Sequence, residues 1–208
     1  MRAVIIGNGT MTDLCFYKEI IKSNDFIICA DGGFDRACAM GVEPDILLGD
    51  MDSVHMDTKQ VKTVTYPAKK DATDGEIAVE YALSHGFDEI LMMGFIGDRM
   101  DHTLTNLFFL KLIADSGKKG MLVNEMNEIY CIKDSLTVTG KVGETVSIVP
   151  VFEDVEGITI SGFEYPLVED TLLFGHGRGV SNVLTQDTGT IHIKSGVALV
   201  IRNRGKLS

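Results

Sequence analysis

The chain has 208 residues, enough for one large domain or two small ones. With 45% apolar and 24% charged residues, it reads as globular rather than disordered. A net charge of −11 argues against a general nucleic-acid binder, which needs clustered Lys and Arg, and no run of roughly 18 apolar residues marks a membrane span.

The first part alternates short apolar strands with helical stretches. AVII (3–6) reads as a buried strand, followed by the glycine turn GNGT. Residues 13–22 have helical spacing, FIICA (26–30) is a second strand, and a short helix is expected over Asp35–Met40. DILLGD (45–50) is a third strand, with a weaker one near Val64. A helix opens inside KKDATDGEIAVEYALSHG (69–86). EILMMG (89–94), a long helix over 102–116 and GMLVN (120–124) complete the alternation, which implies a mostly parallel sheet flanked by helices.

After about residue 132 the pattern changes. LTVTG, ETVSIVP, GITISG, TLLF, VSNVL, GTIHIKSG and VALVIRN are short strands divided by Gly, Pro and Asp turns, the pattern of an antiparallel β-sandwich or barrel. The boundary is expected between Lys133 and Gly143, giving an α/β domain over 1–134 and a β domain over 135–208. No solenoid-length repeat is present. The cysteines, Cys15, Cys29, Cys38 and Cys131, form no C-x-x-C pair or zinc spacing and fit a reducing cytoplasm. The opening MRAVIIGNG is too short an apolar stretch for a signal peptide, so a cytoplasmic location is expected.

In open α/β sheets ligands bind beyond the carboxyl ends of the strands, so the loops there are the place to look for chemistry. Strand two is followed by Asp31-Gly32-Gly33 and strand three by Gly49-Asp50-Met51-Asp52-Ser53. Lys70, Asp71, Thr73 and Asp74 precede the opening helix, and GFIGDRMDH after the next strand supplies Gly94, Gly97, Arg99, Asp101 and His102. All these loops belong at one sheet edge, and each carries an Asp.

Several of these residues have a second, purely structural reading. Thr73 and Glu76 have capping-box spacing, and Asp74 suits the positive end of a helix dipole. Asp50 and Asp52 would face one side if the segment is extended, and could share a cation such as Mg²⁺; they could equally belong to a turn in which Asp52-Ser53 caps a helix. Arg99 suits a phosphate at a helix start, or a surface ion pair with Asp98 or Asp101. Asp101 could cap the long helix, and His102 could be a base, a phosphate ligand or simply solvated. Neither a P-loop nor a complete G-x-G-x-x-G is present, so a phosphate site here would use Asp-held metal and basic residues. In the β-rich part, Ser181 and Asn182 of GRGVSN could bind a small polar ligand or build a hairpin turn.

Taken together, ADGG (30–33), GDMDS (49–53), KDATD (70–74), GFIGDRMDHTLTN (94–106) and GFEYPLVEDTLLFGHGRGVSN (162–182) resemble the thiamine pyrophosphokinases. The resemblance implies an α/β catalytic domain and a β-sandwich. It implies transfer of a diphosphate from ATP to the hydroxyethyl group of thiamine with release of AMP. It further implies Mg²⁺ on Asp50, Asp52 and Asp74 with Asp71 close by. An ATP site of Asp31, Gly32, Gly33, Asp50, Ser53, Lys70, Arg99 and His102 is expected. Thr73, Asp101, Ser181 and Asn182 are expected at thiamine, and Asp71, Asp74 and Arg99 in catalysis. A homodimer is also implied, with thiamine between the α/β domain of one subunit and the sandwich of the other. Two features depart from the family: the chain has no Trp, which some members place over thiamine, and Val183 stands where many bacterial members have Glu. Two rival readings are a diphosphokinase for another alcohol, such as a hydroxymethylpterin, and a non-catalytic sensor of nucleotide or thiamine.

Overall fold

A computed structural model describes residues 1–67 and 71–205. The chain divides into two compact units, Met1–Glu125 and Met126–Ser208. The division falls ahead of the 133–143 segment because Asn127–Ile132 is itself a strand whose neighbour, Ala198–Asn203, lies in the second unit.

The first unit carries six parallel strands: β1 (Arg2–Ile6), β2 (Phe26–Ala30), β3 (Ile46–Gly49), β4 (Thr63–Thr65), β5 (Glu89–Met93) and β6 (Lys119–Val123), in the order β6-β5-β1-β2-β3-β4. Their apolar runs are buried because helices cover them, as a parallel sheet requires. Four helices accompany the strands: α1 (Leu14–Ile20), α2 (Gly33–Met40), α3 (Asp74–Ser84) and α4 (Met100–Asp115). Tyr17 of α1 and Phe34, Ala37 and Met40 of α2 pack with Val4, Ile6, Cys29 and Leu47 in one cluster.

The chain order gives this sheet a switch point. From β1 it steps outward through β2 and β3 to β4, then returns through α3 to β5 on the other side of β1. Such a reversal opens a crevice at the carboxyl ends of the two central strands.

The second unit is antiparallel. One sheet runs β12-β9-β14-β7, from β7 (Asn127–Ile132), β9 (Thr145–Pro150), β12 (Asn182–Val183) and β14 (Ala198–Asn203). The other runs β11-β10-β13-β8, from β8 (Ser135–Thr139), β10 (Val155–Ser161), β11 (Leu167–Leu172) and β13 (Thr188–His192). Residues from both sheets, among them Ile148, Val200, Ile158 and Ile191, share one buried cluster, as in a sandwich. No described residue of this unit is helical. Among the described residues, no helix is long and apolar enough to cross a membrane.

Candidate active site

A cleft of about 760 Å³ opens at the carboxyl edge of the parallel sheet, lined by loops from β1, β2, β3 and β5 and by the starts of α3 and α4. Its walls are laced together across the switch point. Gly7 N–H donates to Met93 O (2.9 Å), Gly9 N–H to Gly94 O (2.7 Å) and Thr10 N–H to Ile96 O (3.0 Å). Side chains of α4 fix the far wall: Asn106 Nδ2 donates to Phe95 O (2.8 Å), and the Thr103 hydroxyl bonds both N–H and O of Gly97.

Asp31, Asp50 and Asp74 converge in this cleft, each with a carboxylate oxygen within 4.8 Å of the others. Two strand ends and one helix start bring them there. Asp31 follows β2 in a left-handed conformation (φ 47°), which Asp tolerates, with its N–H on Leu48 O. Asp50 follows Gly49, whose missing side chain matters: a Cβ there would lie 3.0 Å from Asp31 Cβ and 3.1 Å from Asp74 Oδ1. Asp74 is the first residue of α3, whose N-cap Thr73 accepts from Glu76 N–H (3.2 Å). The structural reading of this helix start and the chemical one are therefore compatible.

The donor set fits a hard divalent cation. All three ligands are carboxylate oxygens, the preferred chemistry for Mg²⁺. Asp31 is 9% exposed, and its Oδ1 is buried with no hydrogen-bond partner among the described residues. A buried carboxylate oxygen without a partner costs free energy that a cation would recover. Two ionised carboxylates at 4.8 Å repel by roughly 3.5 kcal/mol at an effective dielectric of 20, so the trio also favours a counter-charge.

Of the residues singled out in the sequence, Asp31, Asp50, Ser53, Thr73, Asp74, Arg99 and His102 all line this cleft. Asp52 stands beside it but outside the trio. The extended geometry that would align it with Asp50 is broken by Met51, which is left-handed at φ 68°. Its carboxylate instead accepts from Ser53 Oγ (2.8 Å), and no helix follows for Asp52-Ser53 to cap. Asp71 is exposed just ahead of Thr73, and Lys70 lies outside the described residues. Gly32 and Gly33 are buried beneath the cleft floor, where a Cβ on Gly33 would meet Ile6 O at 1.9 Å.

At the rim, Arg99 grips Asp101 in a forked pair, Nη2 to Oδ2 at 2.6 Å and Nε to Oδ1 at 3.3 Å. That bond to Arg99 holds the Asp101 carboxyl down at about 2. The pair is well exposed, so it is a readily exchanged contact. The N-cap of α4 is Arg99 rather than Asp101, and it makes no side-chain cap bond.

In the second unit, Ser181 is exposed and left-handed (φ 61°), with its N–H on Ser147 Oγ. Asn182 is buried. Its Oδ1 accepts from Tyr165 N–H and Val183 N–H, and its Nδ2 donates to Tyr165 O, so its amide fastens the 165 loop.

Asn8, Thr10, Arg36 and Asn106 also line the cleft and were missed in the sequence. The signal for Asn8 and Thr10 was available: Gly7-Asn8-Gly9-Thr10 follows β1, so it falls at the same edge as the other loops.

An α/β unit with an acidic cleft at its switch point, followed by a separate antiparallel β unit, defines the class of protein. Two family models match the chain: Thiamin pyrophosphokinase, catalytic domain, over residues 17–122, and Thiamin pyrophosphokinase, vitamin B1 binding domain, over residues 132–198. The chain belongs to the thiamine pyrophosphokinase family. It is 29% identical over 184 residues to thiamine pyrophosphokinase of Bacillus subtilis, covering 85% of this chain and 86% of that one. The crystal structure of thiamine pyrophosphokinase from Bacillus subtilis superposes with a TM-score of 0.88 at 26% identity, covering 98% and 99% of the two chains. The structure from Geobacillus thermodenitrificans gives a TM-score of 0.85 at 28% identity, covering 100% and 99%.

Proposed function

We propose that this chain makes thiamine diphosphate by transferring the diphosphate group of ATP to the hydroxyethyl oxygen of thiamine, releasing AMP. The observation that carries the reading is the carboxylate trio of Asp31, Asp50 and Asp74, with its buried unpartnered oxygen, inside the cleft of a family member. Those three residues would hold Mg²⁺, with Asp52 and Asp71 as acidic neighbours. Bound there, the cation would neutralise charge on the phosphates.

The remaining work belongs to positioning, which dominates phosphoryl transfer. Arg99 exchanges Asp101 for phosphate oxygens, and His102 and Ser53 give the polyphosphate further hydrogen bonds. Gly32 and Gly33 let the β2 loop lie close under the nucleotide, with Lys70 supplying positive charge. Thr73 and the released Asp101 face thiamine. A carboxylate holding a cation is a poor base, so the hydroxyl proton passes to Asp71 or to water. In the second unit Ser181 contacts thiamine, and Asn182 keeps the adjoining loop in place.

We also place the enzyme in the cytoplasm as a homodimer in which thiamine bridges two subunits. Val168, Leu173, Phe174 and Val180 are exposed apolar side chains of the second unit, which supports association. Sedimentation at micromolar concentration tests that part.

The reaction is tested by incubating the protein with ATP, Mg²⁺ and thiamine and quantifying AMP and thiamine diphosphate by chromatography. Equal amounts of both products, abolished by EDTA, are expected. Absence of AMP from well-folded protein would overturn the reading and favour another alcohol or a binding-only role.

A further inference from the structure

The chain has six arginines, all among the described residues. Five are paired with carboxylates: Arg2 with Asp25, Arg99 with Asp101, Arg178 with Asp170, Arg202 with Glu128 and Glu144, and Arg204 with Glu128. In a protein with 30 acidic residues such pairing is the expected fate of a guanidinium. Arg36 is the exception: among the described residues, no hydrogen bond or ion pair engages it.

Its surroundings sharpen the contrast. Arg36 lies one turn into α2 and lines the same cleft as Asp31, Asp50 and Ser53. Its neighbour Asp35 is not available to it. That carboxylate accepts from His55 N–H (3.0 Å) and Met56 N–H (3.1 Å), tying α2 to the loop after β3. The cleft therefore has a cation on each wall: Arg99 from the β5–α4 side, already held by Asp101, and Arg36 from the β2–α2 side.

We infer that Arg36 is a polyphosphate-binding residue of this cleft, its guanidinium taking non-bridging oxygens of the two outer phosphates of the nucleotide. The inference rests on the diphosphate-transfer reading and adds to it a residue and a phosphate assignment. A planar guanidinium matches phosphate oxygens in a forked pair, and such charge-assisted bonds are the strong ones. The outer phosphates are selected because the carboxylates that would hold a cation line the same cleft, where a cation would neutralise charge on the diphosphate that moves. With Arg36 and Arg99 on opposite walls, the migrating diphosphate would be gripped from both sides.

The test compares the unchanged protein with Arg36→Met and Arg36→Lys. Binding of a non-hydrolysable triphosphate analogue of ATP with Mg²⁺ is measured by calorimetry, beside AMP binding and steady-state AMP formation. For Arg36→Met, analogue affinity should fall about 10-fold to 100-fold, with AMP affinity, KM for thiamine and the unfolding midpoint unchanged. Arg36→Lys should recover part of the loss, as a point charge without the fork. Analogue affinity within about 2-fold of the unchanged protein, in a variant that is folded, would overturn the inference. An equal loss of AMP affinity would overturn the assignment to the outer phosphates. If the unchanged protein binds the analogue but forms no AMP from ATP and thiamine, the reaction reading fails, and the binding comparison still decides whether Arg36 holds phosphate.

Discussion

The cleft of the parallel unit and the antiparallel unit use their polar side chains in opposite ways. In the cleft of the parallel unit, Asp31, Asp50 and Asp74 crowd together and Arg36 has no carboxylate partner among the described residues. In the antiparallel unit the comparable groups are engaged with one another. Arg178 grips Asp170, Lys194 bonds Glu169, Arg202 bridges Glu144 and Glu128, and Asn182 fastens Tyr165. Polar groups whose bonds are satisfied internally stabilise a fold, whereas like charges held close together, with the buried Asp31 Oδ1 unpartnered among the described residues, must be supported by surrounding structure and mark chemistry. The contrast predicts that substitutions at the cleft carboxylates will separate activity from stability, and that those in the second unit will not.

The largest effect should come from the trio. Asp74→Asn and Asp31→Asn are each expected to lower turnover by about 100-fold to 1000-fold, the range for removing one preorganised electrostatic contact. Asp31→Asn should at the same time leave the metal-free protein as stable as before or more so, since it removes a buried charge repelled by two others. The two measurements are AMP formation with Mg²⁺ and the thermal midpoint in EDTA. Near-normal turnover in Asp74→Asn would remove the trio from the mechanism. A large fall in midpoint for Asp31→Asn would make Asp31 a structural residue and erase the contrast between the units.

That contrast was partly legible in the sequence. The apolar runs 3–6, 26–30 and 89–94 and the alternation with helices dictate a parallel sheet, and the sheet dictates which loops share an edge. Thr73 read as the cap of α3, and it is. The trio itself was not legible in full, because it joins residues 19 and 24 positions apart through the pairing of β2 with β3 and the return of α3. Local spacing pointed instead to Asp50 with Asp52, which holds only in an extended segment; the left-handed Met51 turns the chain between them. The strand β7 was missed for a related reason. Its polar residues look like a connector, yet Glu128 sits there half-buried because Arg202 on the facing strand β14 neutralises it.

The next effect in size tests the second unit. Asn182→Ala strands the N–H and carbonyl of Tyr165, which should cost about 1–3 kcal/mol of stability as measured by denaturant unfolding. Any rise in KM for thiamine should track that loss and be relieved by cooling or stabilising osmolytes. Unchanged stability with a selective loss of thiamine affinity would instead make Asn182 a ligand contact, and the second unit would then resemble the first.

The smallest effect concerns pH and lies at the back of the cleft loop. Glu125, just beyond β6, accepts from Thr12 N–H (2.7 Å), Asp13 N–H (3.0 Å) and Tyr17 OH (2.8 Å). It thereby ties the segment that follows the cleft-lining residues 7–11 to the sheet. Burial alone would raise its carboxyl, but the donors from Asp13, Tyr17 and Thr12 outweigh burial and hold it at about 2, below the ordinary 4.5. A carboxylate depressed on folding contributes stability in full above its unfolded value, and the contribution disappears as pH falls toward the folded one. The first unit should therefore lose stability between about pH 4.5 and pH 2. Glu125→Gln keeps an acceptor without the charge, so it should lower the thermal midpoint at pH 7 by a few degrees and flatten its decline in that window. If the slope between those pH values is the same in both proteins, Glu125 does not carry the linkage. The acid sensitivity would then have to come from the other paired carboxylates, such as Asp25 beside Arg2.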